Sequence, residues 1–310
     1  MIGKIILIAV LVGIFVFFGW FLYQNLPGEP KNFQITDLDN KETKPVIEYS
    51  IVKQFHSNMR FNHNHFPYHI DASCSEDRKE KMEEAFLILQ EKVGIISFAP
   101  TTESKAEIFV GCSPDYLGQE ENKFIVGEGG PTEIINTSIY NIILKGKILL
   151  YKESRCDSPI IELHELLHVF GFDHSQNPEN IMYNFSSCDQ QISQDIVDSL
   201  VSLYSQETLP DLSILNVDAT KRGRYLDFEI QILNNGMVDV KNASLVVSSN
   251  DEKIETFYLN EIEFGAGKKL WTKNLKLPSR DTEELEFTID KENAVKELRE
   301  DNNKVELSVK

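Results

Sequence analysis

The chain is short of positive charge: 31 Lys and Arg stand against 49 Asp and Glu, a formal net charge of −18. Phosphate binding needs a basic surface, so nucleic acid is excluded as a partner. The balance suits a soluble ectodomain that stays dispersed by self-repulsion. A bias toward cationic substrates is the competing reading of the same surface. Cysteine is scarce too, with four residues in 310: Cys74, Cys112, Cys156 and Cys188. An even number outside any apolar run suits two disulfides in an oxidising compartment, with free buried thiols as the alternative.

Long apolar runs are limited to one. Ile5 to Tyr23 is a nineteen-residue stretch without a charge, long enough to span a bilayer as a helix. No small-x-small cleavage site follows it, which favours a signal anchor (residues 1–23) over a cleaved signal peptide. So uniformly apolar a segment is also a poor candidate for a core helix. Lys4 and the terminal amine precede it and acidic residues dominate beyond. The positive-inside rule then puts the N-terminus in the cytoplasm and residues 24–310 outside, with Trp20 and Tyr23 at the outer interface.

His164 to His174 reads HELLHVFGFDH, three imidazoles and a carboxylate in the pattern H-E-x-x-H-x-x-G-x-x-H. On a helix, His164 and His168 project from one face and can share a divalent ion, most readily zinc. Gly171 lets the backbone leave the helix through a left-handed turn, after which His174 supplies a third nitrogen. Three protein ligands leave the fourth position open, the arrangement of a catalytic zinc. Glu165 points beside the metal, where it can act as general base toward an activated water. A lone His is more often a surface or satisfied core residue, and a bare H-E-x-x-H arises by chance. The extended pattern fixes the residue at five positions, and Met182 follows His174 by eight residues. A methionine there can turn beneath the histidines and pack its thioether against them.

The stretch HELLHVFGFDHSQNPENIMYN resembles the metzincin zinc peptidases, within them the matrixin-like branch. Ser175 after the third His, the step to Met182 and the Met182-Tyr183 pair carry the resemblance. Asn184 departs from it, since matrixins usually have Pro there, at a position that shapes the pocket for the residue after the scissile bond. Archaemetzincins are less similar, because their four-cysteine pattern after the third His is missing. The resemblance implies the element order helix, mixed sheet, zinc helix, Met-turn and last helix. It also implies an edge strand, placed within residues 124–151, that holds substrate as an added strand. Three cysteine pairings are open. Cys74–Cys112 with Cys156–Cys188 is favoured, because the second bond ties the entrance of the zinc helix to the chain beyond the Met-turn. No long pro-segment carries a cysteine that could occupy the zinc in a latent form.

Four regions follow: the anchor, a stalk over residues 24–60, an α/β catalytic domain over 61–206, and an all-β domain over 209–310. In the catalytic domain PYHID reads as a first strand, and residues 75–93 as an amphipathic helix capped by Ser75 with Met82, Ala85, Phe86 and Leu89 inward. IISFA and AEIFVGC read as strands, GEGGP as a loop, and 139–151 as strand or hairpin. The zinc helix is expected over Asp157–Phe170, with Asp157 or Ser158 as cap and Pro159 in its first turn, and a final helix over Ile192–Tyr204. Beyond Leu209-Pro210, seven alternating segments predict an immunoglobulin-like β-sandwich. NNGMVDVKNASL and ENAVKELREDNNKVEL resemble CARDB domains of prokaryotic surface proteins. That resemblance implies a binding or spacing role toward a surface protein or polymer.

Weaker signals read better as solvated loops than as sites. Asp37, Asp39 and Asn40 carry oxygens of the kind calcium takes, without further support. His56, His63, His65 and His69 suit exposed loops better than a second metal. Sequons begin at Asn136, Asn184 and Asn242 and permit glycosylation. The function expected is a membrane-anchored zinc endopeptidase acting on protein or peptide substrates. A surface adhesion protein with a non-catalytic metal is the alternative, and it leaves Glu165 without a purpose. A hydrolase of non-peptide amides is a third reading, against which the matrixin spacing weighs.

Overall fold

A computed structural model describes residues 2–38, 53–113, 126–151 and 156–309. The chain folds as two compact units, one of residues 1–42 with 209–310 and one of residues 43–208. The first begins with helix α1 (Ile2–Asn25). Apolar on every side, it has no buried face: its window Ile6–Asn25 has mean hydropathy 2.6 and is long and apolar enough to cross a membrane. Strand β1 (Pro30–Leu38) follows after four residues.

In the second unit β2 (Met59–Phe61), β3 (His65–Ile70), α2 (Glu76–Val93), β4 (Ser97–Pro100), β5 (Ile108–Cys112), β6 (Gly127–Asn136), β7 (Asn141–Leu150), α3 (Ile160–Val169) and α4 (Gln194–Ser205) come in that order. β7 pairs parallel with β2 and β5, β5 with β3, and β3 with β4. The sheet ends on β6, antiparallel to β7 along its opposite edge. α2 sends Met82, Ala85, Phe86 and Leu89 into the core and stops at Gly94, whose left-handed backbone (φ 75°) returns its N–H to Gln90. Phe66 sits among Phe61, Phe170 and Tyr204 at centroid distances of 5.0–5.5 Å. Buried Arg60 donates to the carbonyls of Leu203 and Gln206, satisfying the C-terminal end of α4, and lies 4.9 Å from the Tyr204 ring. Disulfides join Cys74 to Cys112 and Cys156 to Cys188, so no described cysteine is free.

Several local expectations change. GEGGP is part of strand β6. α3 begins at Ile160 with Pro159 outside it as N-cap, where no side chain caps the helix; neither Asp157 nor Ser158 does. Ser75 holds the N-cap position of α2 through its backbone, its hydroxyl making no capping bond. The last helix starts two residues later than expected, at Gln194. His65 and His69 lie on β3 rather than in loops.

The all-β region contains β8 (Leu212–Arg222), β9 (Tyr225–Asn234), β10 (Val240–Ser249), β11 (Glu252–Ile262), β12 (Gly267–Lys276), β13 (Glu284–Ile289) and β14 (Lys304–Val309). Their order is β11-β10-β13-β14-β1-β8-β9-β12, a rolled antiparallel sheet with one core. The segment expected as a stalk thus supplies an eighth strand. β1 pairs with β14 over Phe33–Leu38 and with β8 over Pro30–Asn32, joining the two halves of the sandwich. Phe33 enters the core at 8% exposure. The partners lie far away in sequence, which local pattern cannot reveal.

Two consequences are measurable. Phe33→Ala should destabilise the β unit by about 3–5 kcal/mol, as for other buried Phe truncations, read as faster amide exchange in β8 and β14. A free stalk would give no change. Glu297, 5% exposed, accepts from the Leu212 N–H and from Asn303, and burial pushes its carboxyl up to about 8. A raised carboxyl contributes stability that is complete below about pH 4.5 and fades as pH climbs through 8. Glu297→Gln, with the Asn303 amide turned over, should gain on the parent by on the order of 4 kcal/mol between pH 5 and pH 9. Parallel melting curves at both pH values would refute it.

Candidate active site

Helix α3 is buried along its whole length, so its polar side chains must find partners inside the protein. His164 Nδ1 meets the carbonyl of Ile181 at 2.6 Å, and His168 Nδ1 meets that of Phe172 at 2.7 Å. A carbonyl only accepts, so both Nδ1 atoms carry hydrogen and both Nε2 atoms present lone pairs. Those two Nε2 atoms face each other at 3.0 Å. Burial lowers both imidazoles to about 4, each also depressed by a neighbouring His, which keeps them neutral. Two buried lone pairs at that distance repel unless a cation lies between them. His174 closes the group, with one ligand atom from each histidine within 4.8 Å of the others. Among the described residues this is the single cluster of three or more metal-ligand side chains. Neutral, Nε2-directed imidazoles with anchored Nδ1–H groups fit zinc.

The turn that brings His174 back depends on Gly171. Its φ is +84°, and a Cβ there would stand 2.8 Å from Met59 Cβ and Sδ. Beyond it, the Ser175 N–H donates to the Met182 carbonyl at 2.7 Å, and the Met182 N–H to Asn180 Oδ1 at 2.8 Å. Met182 is completely buried in this turn, one residue past the carbonyl that orients His164.

Glu165 lies on α3 beneath strand β6. Burial, reinforced by Glu128 and Glu162, pushes its carboxyl up to about 8. A cation held beside it would pull it back down. The strand passes very close: a Cβ on Gly127 would stand 2.9 Å from Glu165 Cγ and Oε1, and one on Gly129 2.2 Å from the Glu165 carbonyl oxygen. The glycines that made this segment look like a loop are what allow a strand to lie on the helix. Pro131, with no N–H to give, sits beside an irregularity in the β6–β7 register. Among the described residues β6 pairs with β7 alone, so it is the edge expected within 124–151.

A cleft of about 720 Å³ joins these parts, with Gly127, Glu128, Gly129, Asn184, Phe185 and Phe55 among its lining beside the three histidines and Glu165. Phe55 and Gln54 were missed in the sequence. The Phe55 ring stacks on His168 at 5.7 Å and 17°. Gln54 Nε2 donates to the carbonyls of Met59 (2.8 Å) and Phe170 (3.0 Å), and the Phe55 N–H to that of Gly171. Nothing in local composition marks a polar segment as a brace for a helix end more than a hundred residues away. The other histidines do not converge: His63 pairs with Glu107 at 2.9 Å, His65 with Ser97, and His69 with the Thr101 carbonyl. Asp39 and Asn40 lie outside the described residues, as does the side chain of Asp37.

Comparison with known proteins agrees with this division. Residues 57–205 match the family model described as Matrixin, and residues 209–307 match CARDB. The chain therefore carries a matrixin domain followed by a CARDB domain. No curated protein matches it. Among solved structures, the crystal structure of the CARDB domain of the PF1109 protein from Pyrococcus furiosus, in complex with di-metal ions, is 22% identical, covering 32% of this chain and 88% of that one with a TM-score of 0.27. The solution structure of the same domain is 21% identical, covering 33% and 96%, also at 0.27.

The close approach of β6 gives a paired test. Gly129→Ala should cost about 1–3 kcal/mol by overpacking and lower metal content. Gly130→Ala, with nothing within 4 Å of its Cβ, should leave both unchanged. Equal melting temperatures for the two variants would show that the strand does not rest on α3.

Proposed function

We propose that this matrixin domain, tied by chain to a CARDB domain and an apolar helix, makes the protein a membrane-anchored, extracytoplasmic zinc endopeptidase. The convergence of His164, His168 and His174 beside buried Glu165, under a free sheet edge, carries the reading. His164, His168 and His174 are the metal ligands, three rather than the four of a closed structural site. When bound there, zinc supplies a Lewis acid that acidifies water and polarises a carbonyl.

The rest is work for the chain. The outer edge of β6 offers N–H and C=O groups to an extended peptide, which adds as a further strand and lays its scissile bond across α3. Glu165 takes the proton of the attacking water on its carboxylate and returns it to the departing amine nitrogen. Asn184 and Phe185, lining the cleft next to the Met-turn, shape the pocket for the residue after the scissile bond. α1 crosses the bilayer with its N-terminus in the cytoplasm, and the two disulfides favour an oxidising compartment for the remainder. Residues 1–23 are the anchor, 61–206 the catalytic domain and 209–310 the CARDB domain, with β1 completing the sheet of the last.

Glu165→Ala should keep zinc and fold while cleavage of an unfolded protein falls by roughly 10²–10⁴-fold. The parent's cleavage should stop on chelation and return with zinc. Equal cleavage by parent and variant would remove Glu165 from the chemistry. Zinc bound without cleavage would favour the adhesion reading.

A further inference from the structure

The end of the β unit that meets α1 gathers cations in an otherwise acidic chain. Strand register sets them together. Pro30 pairs with Arg222, Lys31 with Lys221, Arg222 with Tyr225 across the β8–β9 turn, and Tyr225 with Lys276. Arg224, in that turn, donates to the carbonyls of Leu277 and Pro278 at 2.9 Å each. Arg280 donates to the carbonyls of Tyr23 and Leu26 and lies 4.5 Å from the Tyr23 ring. The Tyr225 hydroxyl donates to the Asn25 carbonyl at 3.1 Å. Lys221 is spent inside the protein, its ammonium on the carbonyls of Arg280 and Thr282. Lys31, Arg222 and Lys276 point into solvent. Carboxylates nearby are Glu29, Asp227, Asp281 and Glu283, and Arg222 reaches Asp227 at 3.4 Å.

Only residues 26–29 separate α1 from β1, a span of at most about 14 Å. A lipid headgroup layer is roughly 5–8 Å deep on each side of the hydrocarbon, and charges act over about 8 Å beyond it at physiological salt. If α1 ends at the interface, these cations therefore stand within reach of phosphate. We infer that Lys31, Arg222 and Lys276 form a collar that binds anionic phospholipid headgroups, with Arg224 and Arg280 completing it around the last turn of α1. The collar rests on the reading of α1 as a membrane span. Binding seats the β unit on the bilayer and fixes its orientation, where a flexible stalk would leave it free.

The test uses the full chain in lipid nanodiscs, of phosphatidylcholine alone or mixed equally with phosphatidylglycerol, followed by amide hydrogen exchange. Exchange at 221–226 and 276–281 should slow several-fold in the anionic discs. Raised salt or the combined Lys31→Gln, Arg222→Gln and Lys276→Gln variant should abolish that slowing, with β10 and β13 unchanged as a check on folding. Equal exchange in both lipids, or protection that survives the triple variant, overturns the collar while the anchor stands. Extraction of the chain from vesicles by alkaline carbonate would overturn the anchor and the collar together.

Discussion

The site hangs on two carbonyl groups. Ile181 and Phe172 each take the Nδ1–H of a buried histidine, and by doing so turn the opposite nitrogens toward one another. Neither carbonyl belongs to the helix that carries the histidines. Phe172 follows Gly171 directly, and Ile181 comes from the far side of the loop that returns after His174. The loop must fold before the imidazoles are aimed, and the aimed imidazoles repel until a cation joins them. Metal affinity and loop order are therefore one quantity. The surrounding contacts serve that loop: Ser175 to Met182, Asn180 to Met182, the Gln54 and Phe55 brace on its near end, and the Cys156–Cys188 bond outside both.

The same economy applies on the opposite side of α3. A sheet edge that lies over Glu165 on α3 comes closer to the helix than any side chain permits. Gly127 and Gly129 allow that approach, and the edge stays in contact with the helix along the turn that carries Glu165. Burial of Glu165 follows from this contact, and its raised carboxyl follows from the burial. Electrostatics at the site is in this sense set by two missing methyl groups on a neighbouring strand.

How much of this the sequence disclosed follows from the range of each cause. Spacing along a helix is fixed by covalent geometry, so His164, Glu165, His168, the turn at Gly171 and His174 could be read directly. Met82, Ala85, Phe86 and Leu89 were legible for the same reason. GEGGP misled because its composition is that of a loop, while the requirement for glycine comes from a helix some thirty residues later. Pro159 was expected inside α3 and stands just before it, at the N-cap with a non-helical backbone (ψ 57°). Least visible was β1, whose partners begin 170 residues and more downstream. CARDB-like sequence starts at residue 209, yet the sheet it forms is joined through a strand from residue 30.

That strand changes what holds the second unit to α1. β1 runs antiparallel to β8, so Pro30 lies opposite Arg222 at the α1 end and Leu38 runs toward the end where β8 begins at Leu212. The chain thus leaves the β unit and re-enters it at one end of the sheet, some 30 Å of strand from the helix. The catalytic unit is an insertion between neighbouring strands. A single cut in the connection after β1 would leave that strand paired with β14 and β8, and the catalytic unit still joined through residues 206–211. A cut in the second connection alone would leave it joined through β1. Release from α1 requires both breaks, or the break after β1 together with the loss of β1 from its sheet. Phe33, seated in the β core, opposes that loss. Retention of the catalytic unit on α1 is therefore a property of sheet stability as much as of chain continuity.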